Sequence, residues 1–466
     1  MSNAAWLWGA VAQDGTCAIL SPDGFTWLGT MLDAVVDATL SGRRVLLYES
    51  SGMRLAISAL VARGMSPDVG IRTASGAVEL SSIKQPGAAS WLDGLTLLPA
   101  ELPEVARWLS VAVPGAARDL SGAIECALAW SSIGAAVLAR LGALAEVAPR
   151  GSVASTAAAA AIPRSWRRAS SALARSEPWS MLREAYYGGR IELYRPGWTG
   201  DAVEYDLRSA YGWAMTQWMP DPQCYERKPL RHEPGWYDVT VRIDAPHAGP
   251  VPVRVDANRG RNRERYRITW PREGEHRGVW TREDLERSGL QVLTVHRALA
   301  GRWSDDLRRP VERWLELRER TSCALDRAIL RGLSNGLAGK LAQRATEWQL
   351  WIPSDTVAGR YPPDGAVPLG LDCPVFAIPT VPLYMPVQCP QAATYVTALV
   401  RSRVWERVSV GDVIYTDTDS LHLPASAPAP ARVGDAAGDW QVKATGAAHY
   451  RGVRDYSIGN KHLRAH

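Results

Sequence analysis

Paired cysteines, histidine-rich metal spacings, lysine and long apolar runs are all scarce in this chain of 466 residues. The cysteines stand singly at Cys17, Cys126, Cys224, Cys323, Cys373 and Cys389, with no Cys-x-x-Cys and no matched histidines. That spacing argues against a zinc site and a disulfide-stapled scaffold, and for a reducing compartment. The longest run of small residues, Ala154 to Ile162, is far shorter than the ~20 apolar residues a spanning helix needs. Met1-Ser2-Asn3-Ala4-Ala5-Trp6 does not read as a secretory leader. A cytoplasmic protein without a membrane partner is therefore expected. Lysine occurs only at Lys84, Lys228, Lys340, Lys443 and Lys461, against abundant arginine and alanine, a usage that points to a GC-rich bacterial or phage genome.

Length allows two or three domains with full cores. The net charge of +5 is a mild basic excess, compatible with nucleic acid without being diagnostic. Local clusters are more pointed. Arg164, Arg167, Arg168 and Arg175 surround Trp166, and Arg259, Arg261, Arg263, Arg265 and Arg267 run alongside Tyr266 and Trp270. Cations interleaved with aromatics suit a phosphate backbone with stacked bases. An ordinary solvated face explains either cluster equally well.

The most informative stretch is Ile414-Tyr415-Thr416-Asp417-Thr418-Asp419-Ser420-Leu421-His422-Leu423. Apolar and β-branched residues flank an Asp-Thr-Asp apex, which predicts two short strands meeting at a tight turn. The period of two puts Asp417 and Asp419 on one side. Two carboxylates so close repel unless cations sit between them, and oxygen ligands of this kind suit Mg²⁺. An EF-hand loop is excluded, because Leu421 and His422 stand where an oxygen ligand and the turn glycine are required. Taken alone, the pattern also fits a solvated hairpin turn.

Two further segments supply context. Tyr205-Asp206-Leu207-Arg208-Ser209-Ala210-Tyr211-Gly212 is another strand running into a turn at a carboxylate. Arg331-Gly332-Leu333-Ser334-Asn335-Gly336-Leu337-Ala338-Gly339-Lys340 lies between the two. In order and spacing the three resemble motifs A, B and C of the family B DNA polymerases. Tyr186-Tyr187-Gly188-Gly189-Arg190 is similar to the Tyr-x-Gly-Gly element of the protein-primed phage and plasmid branch. The resemblance spans about 186–456 and is close at motif C, good at motif A and degraded at motif B.

The resemblance implies an α/β (α+β) fold, a polymerase palm with helical fingers, preceded by a ribonuclease H-like exonuclease-type domain. It implies a DNA-directed DNA polymerase using two Mg²⁺ ions, with Mn²⁺ able to substitute. Asp206 and Asp417 would bind the metals and Asp419 would support the same site. Tyr211, Ser209, Arg318, Arg320, Arg327, Arg331, Asn335 and Lys340 would meet the dNTP, Tyr211 by stacking under the sugar and excluding a 2′-hydroxyl. Asn335 as a helix cap and Lys340 as a solvated side chain stay open. Tyr186, Gly188, Gly189, Arg454 and Tyr456 would touch DNA, the last two through Arg454-Asp455-Tyr456, similar to the Lys-x-Tyr element. Implied partners are template and primer DNA, dNTPs, and a terminal or priming protein or processivity factor, in a bacterial or phage-infected host.

The same resemblance divides the chain into a degenerate exonuclease-like domain (1–150), a linker (151–185), palm (186–303), fingers (304–345) and palm with a vestigial thumb region (346–466). The exonuclease carboxylates are replaced: Leu7-Trp8-Gly9-Ala10-Val11 lacks Asp-x-Glu, Arg54 stands at the second motif and Trp130 at the third. Proofreading is expected to be absent, since it needs the same two-metal chemistry. Ala338 and Gly336 replace the tyrosine and serine of motif B, which implies low fidelity unless Trp213 fills the space. Few residues follow Tyr456, which implies weak grip and distributive synthesis. Two alternatives stay open: a template-independent or self-priming nucleotidyltransferase, and a non-catalytic replication or scaffold protein.

Overall fold

The computed structural model describes residues 6–13, 16–21, 24–30, 34, 44–47, 68–74, 77–84, 90–93, 97–150, 152–174, 176–256, 266–287, 289–343, 345–351, 362, 366–368, 376–383 and 387–464. The chain divides into two compact units. One comprises Met1–Ala160, Thr321–Leu333 and Arg344–Leu383, and the other Ala161–Arg320, Ser334–Gln343 and Tyr384–His466. Arg54 and the helix expected over Met53–Arg63, Arg175, the run Arg259–Arg265, and most of the Trp348–Leu371 insertion lie outside the described residues.

In the first unit, β1 (Trp6–Val11), β2 (Thr16–Ser21) and β3 (Gly24–Thr30) form an antiparallel meander. β4 (Arg44–Leu47) pairs parallel with β1, and β5 (Asp68–Ala74), β6 (Ala77–Lys84) and β7 (Ser90–Asp93) extend the sheet to the order β3-β2-β1-β4-β7-β6-β5. An antiparallel meander continued by parallel strands is the ribonuclease H-like arrangement. α1 (Leu102–Leu109) precedes α2 (Leu120–Ala145), which packs on β1 and β2. The Asp119 carboxylate caps α2 by accepting from the Gly122 N–H at 3.0 Å. α2 is long and apolar enough to cross a membrane by length and composition, a run longer than the small-residue stretch singled out in the sequence. Its apolar stripe of Ala123, Ala127, Trp130, Val137 and Leu141 is buried, as in a core helix.

α3 (Val153–Ala161), α4 (Arg164–Leu173) and α5 (Glu177–Glu184) occupy the segment read as a linker. It is helical because its alanines favour helix and Ser176 caps α5 at the Trp179 N–H. In the second unit, Trp166 is 3% exposed and donates to Asp306 at 2.9 Å. It packs in the core and offers no face for a base.

The second unit continues through β8 (Arg190–Leu193), β9 (Thr199–Leu207), α6 (Ala210–Met215), β10 (Met219–Tyr225), β11 (Gly235–Asp244), β12 (Val253–Asp256), β13 (Tyr266–Thr269) and β14 (Glu273–Thr281). α7 (Arg282–Leu285), β15 (Leu290–Ser304) and α8 (Arg308–Arg320) follow. The helical periodicity breaks at Thr321-Ser322-Cys323 as expected, and α9 (Ala324–Ala342) resumes it. α9 gives its first half to one unit and its second half to the other. β16 (Ala345–Trp351), β17 (Val367–Pro368) and β18 (Phe376–Leu383) form a small antiparallel sheet in the first unit.

α10 (Pro390–Val408) then leads to β19 (Tyr415–Thr418), β20 (Ser420–Pro424), β21 (Trp440–Gly452), β22 (Asp455–Ile458) and β23 (Lys461–Leu463). These strands and β8–β9 make the central sheet, in the order β23-β22-β21-β9-β20-β19-β8. α10 is buried on nearly every side, so its polar residues must find partners inside the protein.

Candidate active site

Register fixes the site. Asp206 on β9 lies opposite Ser420 on β20, and Ser420 lies opposite Asp417 on β19. Residues opposite one another share a face, so Asp206, Ser420 and Asp417 form one row across three strands. Glu204, His422 and Tyr415 form the next row on the same face. The turn between β19 and β20 is a single residue, Thr418, in the left-handed region at φ 63°. It is closed by the Asp419 N–H donating to the Asp417 carbonyl at 2.8 Å. The Leu207 N–H donates to the Asp419 carbonyl at 2.9 Å, which sets Asp419 beside the end of β9 that carries Asp206. Both side chains are half-buried.

The hairpin tip rests on Gly189. A Cβ there would fall 2.6 Å from the Thr418 Cα, so only glycine permits this approach. Two arginines hold the loop that carries Gly189. Arg401, 1% exposed on α10, donates to the carbonyls of Tyr187 (2.7 Å) and Gly188 (2.9 Å). Arg254 donates to the Tyr186 carbonyl at 2.8 Å and lies 4.0 Å over the Tyr187 ring. Arg401 is itself fixed by Asp284, fully buried, at 2.8 Å, and Arg287 reaches the same carboxylate at 2.7 Å. Burial alone would raise the Asp284 carboxyl, but the two guanidiniums outweigh it and hold it below its ordinary range. None of Arg254, Asp284, Arg287 and Arg401 was singled out in the sequence. A usable signal existed only for Arg401, a cation in a helix otherwise patterned for complete burial.

Asp417 does not sit as expected. Its carboxylate accepts from Arg454 Nε (2.8 Å) and Nη2 (3.2 Å), from the Tyr415 hydroxyl (3.1 Å) and from the Thr418 hydroxyl (3.1 Å). A carboxylate offers about four lone-pair sites, so these donors use its capacity. Burial would raise the Asp417 carboxyl, but the Arg454 hydrogen bonds and charge prevail and lower it. Tyr456 is 3% exposed and stacks on Tyr450 at 5.3 Å, so the ring expected at the primer belongs to the core beneath the hairpin. His422 is fully buried in the same aromatic group, with Nδ1 2.9 Å from the Tyr450 hydroxyl. Burial pushes His422 down to about 3, so it is neutral at ordinary pH.

At the motif A turn, Ser209 takes a left-handed conformation (φ 51°) and its hydroxyl accepts from Arg318 Nη1 at 2.8 Å. Arg208 pairs with Glu319, so the end of α8 is tied to the turn twice. A Cβ at Gly212 would meet Leu315 at 3.1 Å, which shows how closely α6 approaches α8. Tyr211 follows, its hydroxyl pushed up to about 12 by burial and then by the nearby Asp419 charge. Arg320 is exposed and lies 3.8 Å from Glu316. Lys340 is half-buried, bonds Gln343 at 3.1 Å and has its ammonium pKa lowered by burial. Asn335 is exposed on the same half of α9. Arg327 and Arg331 lie on the half of α9 in the first unit, where Arg327 donates to the Thr321 carbonyl at 2.9 Å. Trp213 packs against Gly438, whose Cβ would fall 2.4 Å from its ring, and under Arg403 at 4.7 Å.

Residues 174–359 match the family described as DNA polymerase type B, organellar and viral. That segment belongs to the type B DNA polymerases. No curated protein matches the chain. Solved structures do. Phi29 DNA polymerase with primer-template DNA and incoming nucleotide superposes with a TM-score of 0.70 at 13% identity, over 98% of this chain and 87% of that one. An orthorhombic crystal form of the phi29 enzyme gives 0.69 at 13% identity over 99% and 90%. At such identity the likeness establishes a shared polymerase fold. The palm and the ribonuclease H-like unit expected from the type B resemblance are therefore both present.

The donor set decides whether divalent ions suit this type B site. Among the described residues no three His, Cys, Asp or Glu side chains form a metal cage. Asp206 and Asp419 instead offer oxygen ligands from adjoining strands. Mg²⁺ is commonly held that way, by one or two carboxylates plus water and substrate phosphates.

Proposed function

We propose that the chain adds deoxynucleotides to a primer 3′-hydroxyl on a DNA template by two-metal phosphoryl transfer, without proofreading and with low fidelity. The observation that carries this reading is the convergence of Asp206 and Asp419 at one sheet edge within a type B polymerase segment. Two Mg²⁺ ions, or Mn²⁺ in their place, would be held chiefly by these two carboxylates. Bound there, they would stabilise the attacking and leaving oxygens of an in-line displacement.

The chain's own residues have separate tasks. Tyr211, kept protonated, would lie under the incoming sugar and leave no space for a 2′-hydroxyl. Arg318, held at the motif A turn by Ser209, would meet the triphosphate with its remaining donors. Arg327, Arg331, Asn335 and Lys340 on α9, and Arg320, would complete the nucleotide site as the family pattern implies. Ala338 leaves a smaller wall against the nascent base pair than a tyrosine would. Structures titled with primer-template DNA and with single-stranded DNA among the fold relatives support DNA as the partner.

The deciding experiment compares Mg²⁺-dependent incorporation on primed template, on single strands and without DNA. Primed template alone should support synthesis. Incorporation on single strands or without DNA would favour a template-independent transferase, and none at all a scaffold. Asp206→Asn should lower the rate by about three orders of magnitude or more with the fold intact. A near wild-type rate would show the active site to be elsewhere.

A further inference from the structure

We infer that Asp417 acts as a positioning residue that aims Arg454 at a phosphate of the primer strand, and not as a metal ligand. The inference deepens the polymerase reading and rests on it. Asp417 already receives four hydrogen bonds, two of them from one guanidinium in the parallel, two-point geometry that fixes orientation as well as distance. A carboxylate so occupied has to surrender a donor before it binds a cation.

Arg454 is built for the complementary task. It sits at the turn between β21 and β22 in the left-handed region, φ 58°, a conformation that non-glycine residues adopt only when their surroundings hold them there. Its N–H donates to the Tyr415 hydroxyl at 3.3 Å, and that hydroxyl donates in turn to Asp417, so backbone and side chain are anchored to the same strand. The Arg454 side chain is 55% exposed beside the Asp206 row, whereas Asp417 is 21% exposed. Of five guanidinium N–H bonds, two serve Asp417 and three are directed elsewhere, enough for a phosphate oxygen pair. The carboxylate charge is cancelled by its partner, so it does not repel the DNA backbone.

The test uses the full chain, a labelled primer–template hairpin for anisotropy, and steady-state incorporation with Mg²⁺ titrated. Arg454→Ala should weaken binding about tenfold and lower the salt slope by about one. Asp417→Asn and Arg454→Lys each keep a cation at 454 but lose the fork, so total binding should stay within about threefold. Both should raise the KM for primed DNA about tenfold, with the Mg²⁺ half-saturation and the rate at saturating DNA changed less than about threefold. Loss of turnover at saturating DNA in Asp417→Asn, or a tenfold shift of its Mg²⁺ half-saturation, would make Asp417 a metal ligand and overturn the inference. A wild-type Arg454→Lys beside an impaired Asp417→Asn would also overturn it. If the unmodified protein incorporates nothing, the polymerase reading fails, and unchanged binding by Arg454→Ala in the anisotropy arm sinks the phosphate grip separately.

Discussion

At residue scale, His422 shows how much of the site is built from burial. Its ring is packed by Tyr415, Tyr450 and Tyr456, with Ser420 Oγ 3.4 Å from Nε2, and no carboxylate bonds the ring to support a charge. The folded protein therefore keeps it neutral down to about pH 3, while the unfolded chain protonates it near 6.5. The stability this gives is present above pH 6.5 and is lost as pH falls from there toward 3. His422→Gln keeps a hydrogen-bonding side chain without the titration. Between pH 7 and pH 5 the unmodified protein should lose about 2 kcal/mol more stability than the variant, by urea unfolding. Parallel pH profiles would mean that His422 carries its proton in the fold. From sequence, the aspartates around this histidine were legible as a chemical pattern, whereas its neutrality was not. A neighbour on β21, Tyr450, creates that environment, and no spacing within the hairpin announces it.

At the scale of elements, the loop before β8 and the hairpin β19–β20 act as one piece. Gly188 and Gly189 look equivalent in the sequence, and both were expected at the DNA. The structure separates them: a Cβ at Gly188 meets nothing within 4 Å, whereas one at Gly189 strikes the Thr418 backbone. Gly189→Ala should force the hairpin tip away, lowering stability by about 1–3 kcal/mol and lowering incorporation with it. Gly188→Ala should leave stability within about 0.5 kcal/mol and yet weaken DNA binding, because its methyl would occupy the surface where a backbone phosphate approaches. Equal stability losses for the two would contradict this account. Strands, the broken helical pair α8–α9 and the capped turn at Thr281 were readable because each is a local pattern of period, cap and breaker. The clamp of Asp284 with Arg287 and Arg401 was not. It joins residues more than a hundred positions apart, and burial alone makes it matter: removing one partner strands a charge in the core.

At the scale of the whole molecule, the two units differ in what they keep. The second retains its carboxylates at the sheet edge, while the first has replaced the corresponding chemistry with packing. Leu7, Trp8 and Ala10 are buried on β1, where the exonuclease pattern calls for an Asp-x-Glu pair. Trp130 is fully buried, donates to the Leu46 carbonyl at 3.0 Å and meets Trp8 edge-on at 5.5 Å. Gly134 lies so near Trp8 that a Cβ would fall 2.2 Å from its ring. These side chains interlock, and an aspartate substituted for one of them would be buried without a partner, at a cost of several kcal/mol. Restoring an exonuclease would therefore take several changes together, and the sequence already implied the loss by listing tryptophan and leucine where acids belong. A 5′-labelled single strand incubated with the protein and Mg²⁺ or Mn²⁺ should accordingly remain full length, alone and in the Asp206→Asn variant. Shortening that persists in Asp206→Asn would reveal a nuclease centre built from other residues. Shortening abolished by that substitution would instead assign the cleavage to the polymerase carboxylates running in reverse, which added pyrophosphate should accelerate.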